Sequence, residues 1–171
     1  NENWSALNHA KTALAGNPEF AADPAMKSFI LGELTTKRGG LAGEIIVKHY
    51  MPASVSEVQA IACSGEINDV RRRAQKVLIN SRSLPLVEPF CQLLVELGNA
   101  SKCTTKRDVI SKMAQLDDPR VLPALRDIDT RAYRRGFRRR RKNACLVETL
   151  ENTVRQLEAH ESPAGATPPG S

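Results

Sequence analysis

The chain has 171 residues, 41% of them hydrophobic and carried mainly by Leu, Val, Ile and Ala, while aromatics make up only 4%. That balance suits helix-on-helix packing and leaves few rings for stacking on unpaired bases. The net charge of +6 resides in one segment: eight of the twelve residues from Arg131 to Lys142 are basic, and without them 17 Lys and Arg face 19 Asp and Glu, a net −2.

The opening residues, NENWSALNHAK, lack the basic start and apolar stretch of a secretory signal. Asn1 in place of Met leads to the expectation of a processed chain or a piece of a larger protein. Met26, Phe29, Ile30 and Leu34 recur at three and four, which predicts a helix over about 24–37. Asp23 is its expected cap, Pro24 sits in the tolerated first turn, and Gly39 and Gly40 are expected to end it. Short helices are expected around 41–50 and 54–63, the second opened by Ser54 as cap and Glu57 as the partner in a capping box.

The stretch 68–79 carries Val70, Ala74, Val77 and Leu78 on one stripe and reads as a helix. Pro85 is placed in the first turn of the next, whose apolar residues run from Leu86 to Leu97 with Gly98 as stop. Thr104 or Thr105 is expected to cap a helix through Leu116, and Asp118-Pro119 to open another. Val147, Leu150, Val154 and Leu157 have heptad spacing over about two heptads, which favours packing onto the preceding helix over a dimer seam. No sustained period-two alternation and no Asn-Gly or Asp-Gly turn occurs. The prediction is an all-α domain over 1–159, with 160–171, ending SPAGATPPGS, as a disordered tail or linker.

Pro89 and Pro123 are 34 residues apart, each expected about one turn inside an apolar helix after a matching break, and this spacing suits stacked helix pairs. Asn68-Asp69-Val70-Arg71-Arg72-Arg73-Ala74, with Leu78 beyond it, resembles the second helix of a HEAT-type repeat, and DDPRVLPALRDI (117–128) resembles the turn and first helix of the next. The resemblance implies an α-solenoid of stacked antiparallel helix pairs, a role as a protein-binding scaffold, and a ladder between repeats to which Asp69 and Arg71 would belong. In the following copy Asp108 fits and Ile110 stands where the Arg belongs. The alternative architecture is an irregular helical bundle.

The four cysteines, Cys63, Cys91, Cys103 and Cys145, form no CxxC pair and have no neighbouring His, and are read as reduced core residues of an intracellular protein. That setting is cytoplasmic, or nuclear if the arginine run serves as an import signal. His9, His49 and His160 lie apart from one another, and no nucleophile elbow, phosphate-cradling loop or zinc signature is present. No catalytic, cofactor or metal residue is assigned, and the expectation is a non-enzymatic protein.

The candidate binding residues are Arg131, Arg134, Arg135, Arg138, Arg139, Arg140, Arg141 and Lys142. In a helix Arg131, Arg134, Arg135, Arg138 and Lys142 would share one face, with Tyr133 and Phe137 on the other. An acidic protein surface, met bidentately by guanidinium groups, is the leading partner. Nucleic-acid phosphate is the alternative, and a solvated face paired to Glu148, Glu151, Asp127 or Asp129 is the bland reading. An anionic membrane surface completes the set.

Overall fold

The computed structural model describes residues 2–64, 69–128, 130, 132–135, 138–141 and 143–161, and of residues 2, 3, 132–135, 138–141, 160 and 161 it describes the backbone. Nine helices follow in order among the described residues: α1 (Glu2–Gly16), α2 (Pro24–Leu34), α3 (Gly39–His49), α4 (Val55–Ala62), α5 (Asp69–Asn80), α6 (Pro89–Asn99), α7 (Cys103–Ala114), α8 (Val121–Arg126) and α9 (Val147–Glu161). Short 3-10 turns occupy Pro18–Ala22, Leu84–Leu86 and Ala144–Leu146. The all-α expectation holds for the body of the chain. Its exception is a two-stranded hairpin, β1 (Ala132–Arg135) and β2 (Arg138–Arg141).

The helices gather into two compact units, Asn1–Val95 and Glu96–Ser171. In the first, α3 packs against α1, α2 and α5, and α5 also packs against α4. Leu7 and Leu14 of α1 join Ile30, Leu34, Ile45, Ile46, Val58 and Leu78 in one core in which each is almost wholly buried. Burying a side chain of this size contributes about 1.5–3 kcal/mol, so this cluster is the main support of the unit.

Local signals decided some helix ends. Asp23 accepts hydrogen bonds from the backbone N–H of Ala25 at 2.8 Å and of Met26 at 3.3 Å, with Pro24 in the first turn, as the sequence predicts. Elsewhere other local bonds and partners distant in sequence prevailed. Helix α2 stops at Leu34, short of the glycines, because Thr35 and Thr36 turn their hydroxyls back onto the carbonyls of Gly32 and Glu33. Arg73 Nη1 of α5 donates to the carbonyls of Leu34, at 3.1 Å, and of Thr36. Gly39 and Gly40 then open α3 instead of closing α2.

The capping box at Ser54 does not form: Ser54 Oγ makes no cap bond, and Glu57 instead receives a 2.6 Å hydrogen bond from Lys27 Nζ. The expected start at Pro85 is corrected too. Leu84–Leu86 is a separate turn with Leu86 63% exposed, and α6 begins at Pro89. Pro89 therefore opens its helix, whereas Pro123 is the third residue of α8, so the two prolines do not share a position. Neither threonine caps α7, which starts at Cys103 after Lys102. Asp69 pairs with Arg72 of its own helix at 2.9 Å.

In the second unit α9 packs on α7 and α8, burying Leu150 and half-burying Val147, Val154 and Leu157. Val109, Ile110 and Met113 of α7 and Val121, Leu122 and Leu125 of α8 are buried with them. Arg126 forms an ion pair with Glu158, an exposed contact that adds little.

The reading of the cysteines as reduced core residues is overturned. Cys63, the residue that ends α4, is bonded to Cys91 in α6 with Cα atoms 5.5 Å apart. Cys103 at the start of α7 is bonded to Cys145 with Cα atoms 6.2 Å apart, and no free cysteine remains. Both separations fall in the range that a disulfide spans. Each bond closes within one unit. Spacing along the chain concealed the pairing because helix ends, not neighbours in sequence, bring these thiols together.

Candidate functional site

The basic segment is built on extended backbone. Antiparallel pairing sets Ala132 against Arg141, Tyr133 against Arg140, Arg134 against Arg139 and Arg135 against Arg138. Arg131 and Lys142, the remaining candidate binding residues, lie outside the described residues, as do Gly136 and Phe137 between the strands. The expected amphipathic basic helix is thus corrected to a hairpin. A strand advances about 3.3 Å per residue against 1.5 Å in a helix, so the same run of arginines is spread over twice the length. A helix would also stack like charges at three and four residues and set them against its own positive end.

The hairpin leaves the body between α8 and α9, and its C-terminal side is tied to α7 in three ways. Lys106 Nζ donates to Asn143 Oδ1 at 2.9 Å. Arg107 donates through Nη2 at 2.8 Å and Nε at 3.2 Å to the carbonyl of Cys145. The disulfide from Cys145 to Cys103 adds a covalent tie. Asn143 has φ 48°, a left-handed conformation that Asn tolerates better than most residues and that turns the chain from strand toward the 3-10 turn. Sequence reasoning missed these anchoring residues. The signal available was Cys145 standing three residues after the run, which gains meaning only once Cys103 is known as its partner.

Two grooves are lined by residues outside the hairpin. A groove of about 380 Å³ between α3 and α5 includes Glu44, Arg73 and Lys76 in its lining. Its charges are largely committed: Glu44 pairs with Lys11 at 3.0 Å, and Arg73 caps α2. A second groove, between α7 and α9, is lined by Arg107 together with Glu148, Thr149, Asn152 and Thr153. The expected pairing of the basic segment with Glu148, Glu151, Asp127 or Asp129 falls on side chains outside the described residues.

Titratable groups whose behaviour departs from the ordinary are structural. The hydrogen bond from Lys27 holds the Glu57 carboxyl below the usual range, and that from Arg120 does the same for Asp118. Burial lowers His49, with Lys48 nearby adding to the effect. Among the described residues no group of three His, Cys, Asp or Glu could hold a metal ion, and no helix is long and apolar enough to cross a membrane.

Burial also raises Tyr50, whose Oη, with the residue only 4% exposed, has no hydrogen-bond partner among the described residues. An unpaired buried hydroxyl carries a desolvation cost without return. Tyr50→Phe is therefore expected to leave stability unchanged or raise it by about 1 kcal/mol. The measurement is the urea midpoint, and a fall of that size would show that the hydroxyl is bonded in solution.

No family model, curated protein or solved structure matches the chain.

Proposed function

We propose that the chain is a non-enzymatic helical binding module that meets an acidic protein surface through residues 131–142. The observation that carries this reading is the concentration of eight of the 25 basic side chains in one twelve-residue segment whose C-terminal foot is fastened to α7. Guanidinium groups grip carboxylates bidentately, and a dense cationic patch accelerates encounter with an anionic partner. Fastening the foot limits the conformational freedom lost on docking. The reading takes the helices as stacked pairs of the HEAT kind, which is supported by the packing of sequence neighbours α2 with α3 and α4 with α5. The two disulfides favour an oxidising compartment over the intracellular setting that reduced cysteines would suggest.

A second reading, contact with nucleic-acid phosphate, is favoured by one feature. A two-stranded ribbon is a form that the major groove of a duplex admits.

Fluorescence anisotropy with poly-glutamate and with a short random duplex separates the readings. The proposal expects poly-glutamate to bind and to weaken at least about tenfold when Arg138, Arg139, Arg140 and Arg141 are replaced together by Gln, a loss of about 1.4 kcal/mol or more. A duplex that binds with a steep salt slope, flattened in that variant while poly-glutamate stays unbound, would transfer the segment to nucleic acid.

A further inference from the structure

We infer that the outer edge of β2 receives an acidic, extended peptide segment of the partner as a third strand, an inference that rests on the acidic-protein reading above. The hairpin is a sheet of two strands, and among the described residues no third strand joins it. One side of each strand is occupied by the other. On the opposite side, an edge strand carries backbone N–H and C=O groups in a row with which a further chain can pair.

The pairing register shows what such a chain must be. Arg135 stands opposite Arg138 and Arg134 opposite Arg139. Like charges placed directly across a ladder destabilise it, and a two-stranded hairpin alone has little stability in water. A neighbouring strand bearing carboxylates reverses the sign of the cross-strand interaction and adds a second ladder. β2 is the favoured side because Arg138, Arg139, Arg140 and Arg141 are consecutive. Alternate residues of a strand belong to opposite faces, so an acidic strand in either register meets arginine.

The same charges bear on the ordinary explanation of a charged edge, which is protection against aggregation. A run of arginines does repel a second copy of itself, and by that repulsion it selects for an acidic strand over its own kind. Backbone pairing would supply affinity, and charge would supply the choice of partner. The ties of Asn143 and Cys145 hold the chain that follows β2 against a folded helix.

The test uses a peptide of alternating Glu and Val and the same peptide N-methylated at every residue, which keeps the charge and removes every donor. Strand addition expects the unmodified peptide to bind at least about tenfold tighter and to slow amide exchange in Arg138–Arg141 by a similar factor. Equal affinities of the two peptides for the parent protein, both lost on replacing the four arginines of β2 by Gln, would overturn strand addition and leave the acidic-partner reading standing. If neither peptide binds and the random duplex does, or if the four-Gln protein binds the unmodified peptide as tightly as the parent, the acidic-partner reading falls and takes this inference with it.

Discussion

Replacing Cys63 and Cys91 together by Ala is expected to lower the stability of the unit Asn1–Val95 by about 3–4 kcal/mol. The bond closes a segment of 28 residues, and chain-entropy arguments assign about 3.6 kcal/mol to a loop of that length. For a domain whose total stability is of order 5–15 kcal/mol, the loss is a large fraction. Chemical denaturation of the parent, the variant and the reduced parent measures it. The reduced parent should unfold near the variant if the Cys103–Cys145 bond acts only on its own unit. Thiol titration under denaturing conditions without reductant should find none free. Four titrating thiols, or an unchanged midpoint in the variant, would remove the disulfide from the account of this fold.

Gly39→Ala is expected to cost about 3 kcal/mol, at the upper end of what overpacking a core produces. A methyl group at that position would lie 2.2 Å from the carbonyl oxygen of Leu34 and 2.6 Å from Nη1 of Arg73. The carbonyl is backbone and cannot give way without unwinding the end of α2, and Arg73 would have to surrender the hydrogen bonds by which α5 caps that end. Two neighbours serve as internal standards. Gly40→Ala meets nothing within 4 Å and should stabilise α3 by about 0.5–1 kcal/mol, the ordinary gain of Ala over Gly in a helix. Gly43→Ala brings its methyl 3.2 Å from Cγ2 of Val77 and should fall between them. Urea midpoints rank the three; Gly39→Ala as harmless as Gly40→Ala would show that α2, α3 and α5 are not packed this way.

These contrasts also show which parts of the molecule a reader of the sequence could see. Asp23 and Pro24 were legible because an N-cap acts on amides two and three residues away. Ser54 and Glu57 carry the same kind of signal and misled, because Lys27, 30 residues distant, holds the carboxylate that the box required. Leu86 looked like a core residue and is exposed, since a turn at Leu84–Leu86 precedes α6. Helix α1 went unassigned although Leu7, Ala10 and Leu14 recur at three and four and all are buried. At the candidate site the eight charges were plain in the sequence, whereas their strand geometry and their ties to Lys106, Arg107 and Cys103 were not.

The sequence by itself determined the helical class of the body, the stripe of α5 and the location of the positive charge, because composition and periodicity act within a few residues of each position. The tertiary structure alone decided how the thiols pair, which glycines have no room for a methyl group and where the foot of the arginine segment is fastened. Those outcomes depend on groups 28, 39 and 42 residues apart meeting in space, as Cys63 meets Cys91, Leu34 meets Arg73 and Cys103 meets Cys145. Contacts of that reach arise from packing the helices together, and no local preference encodes them.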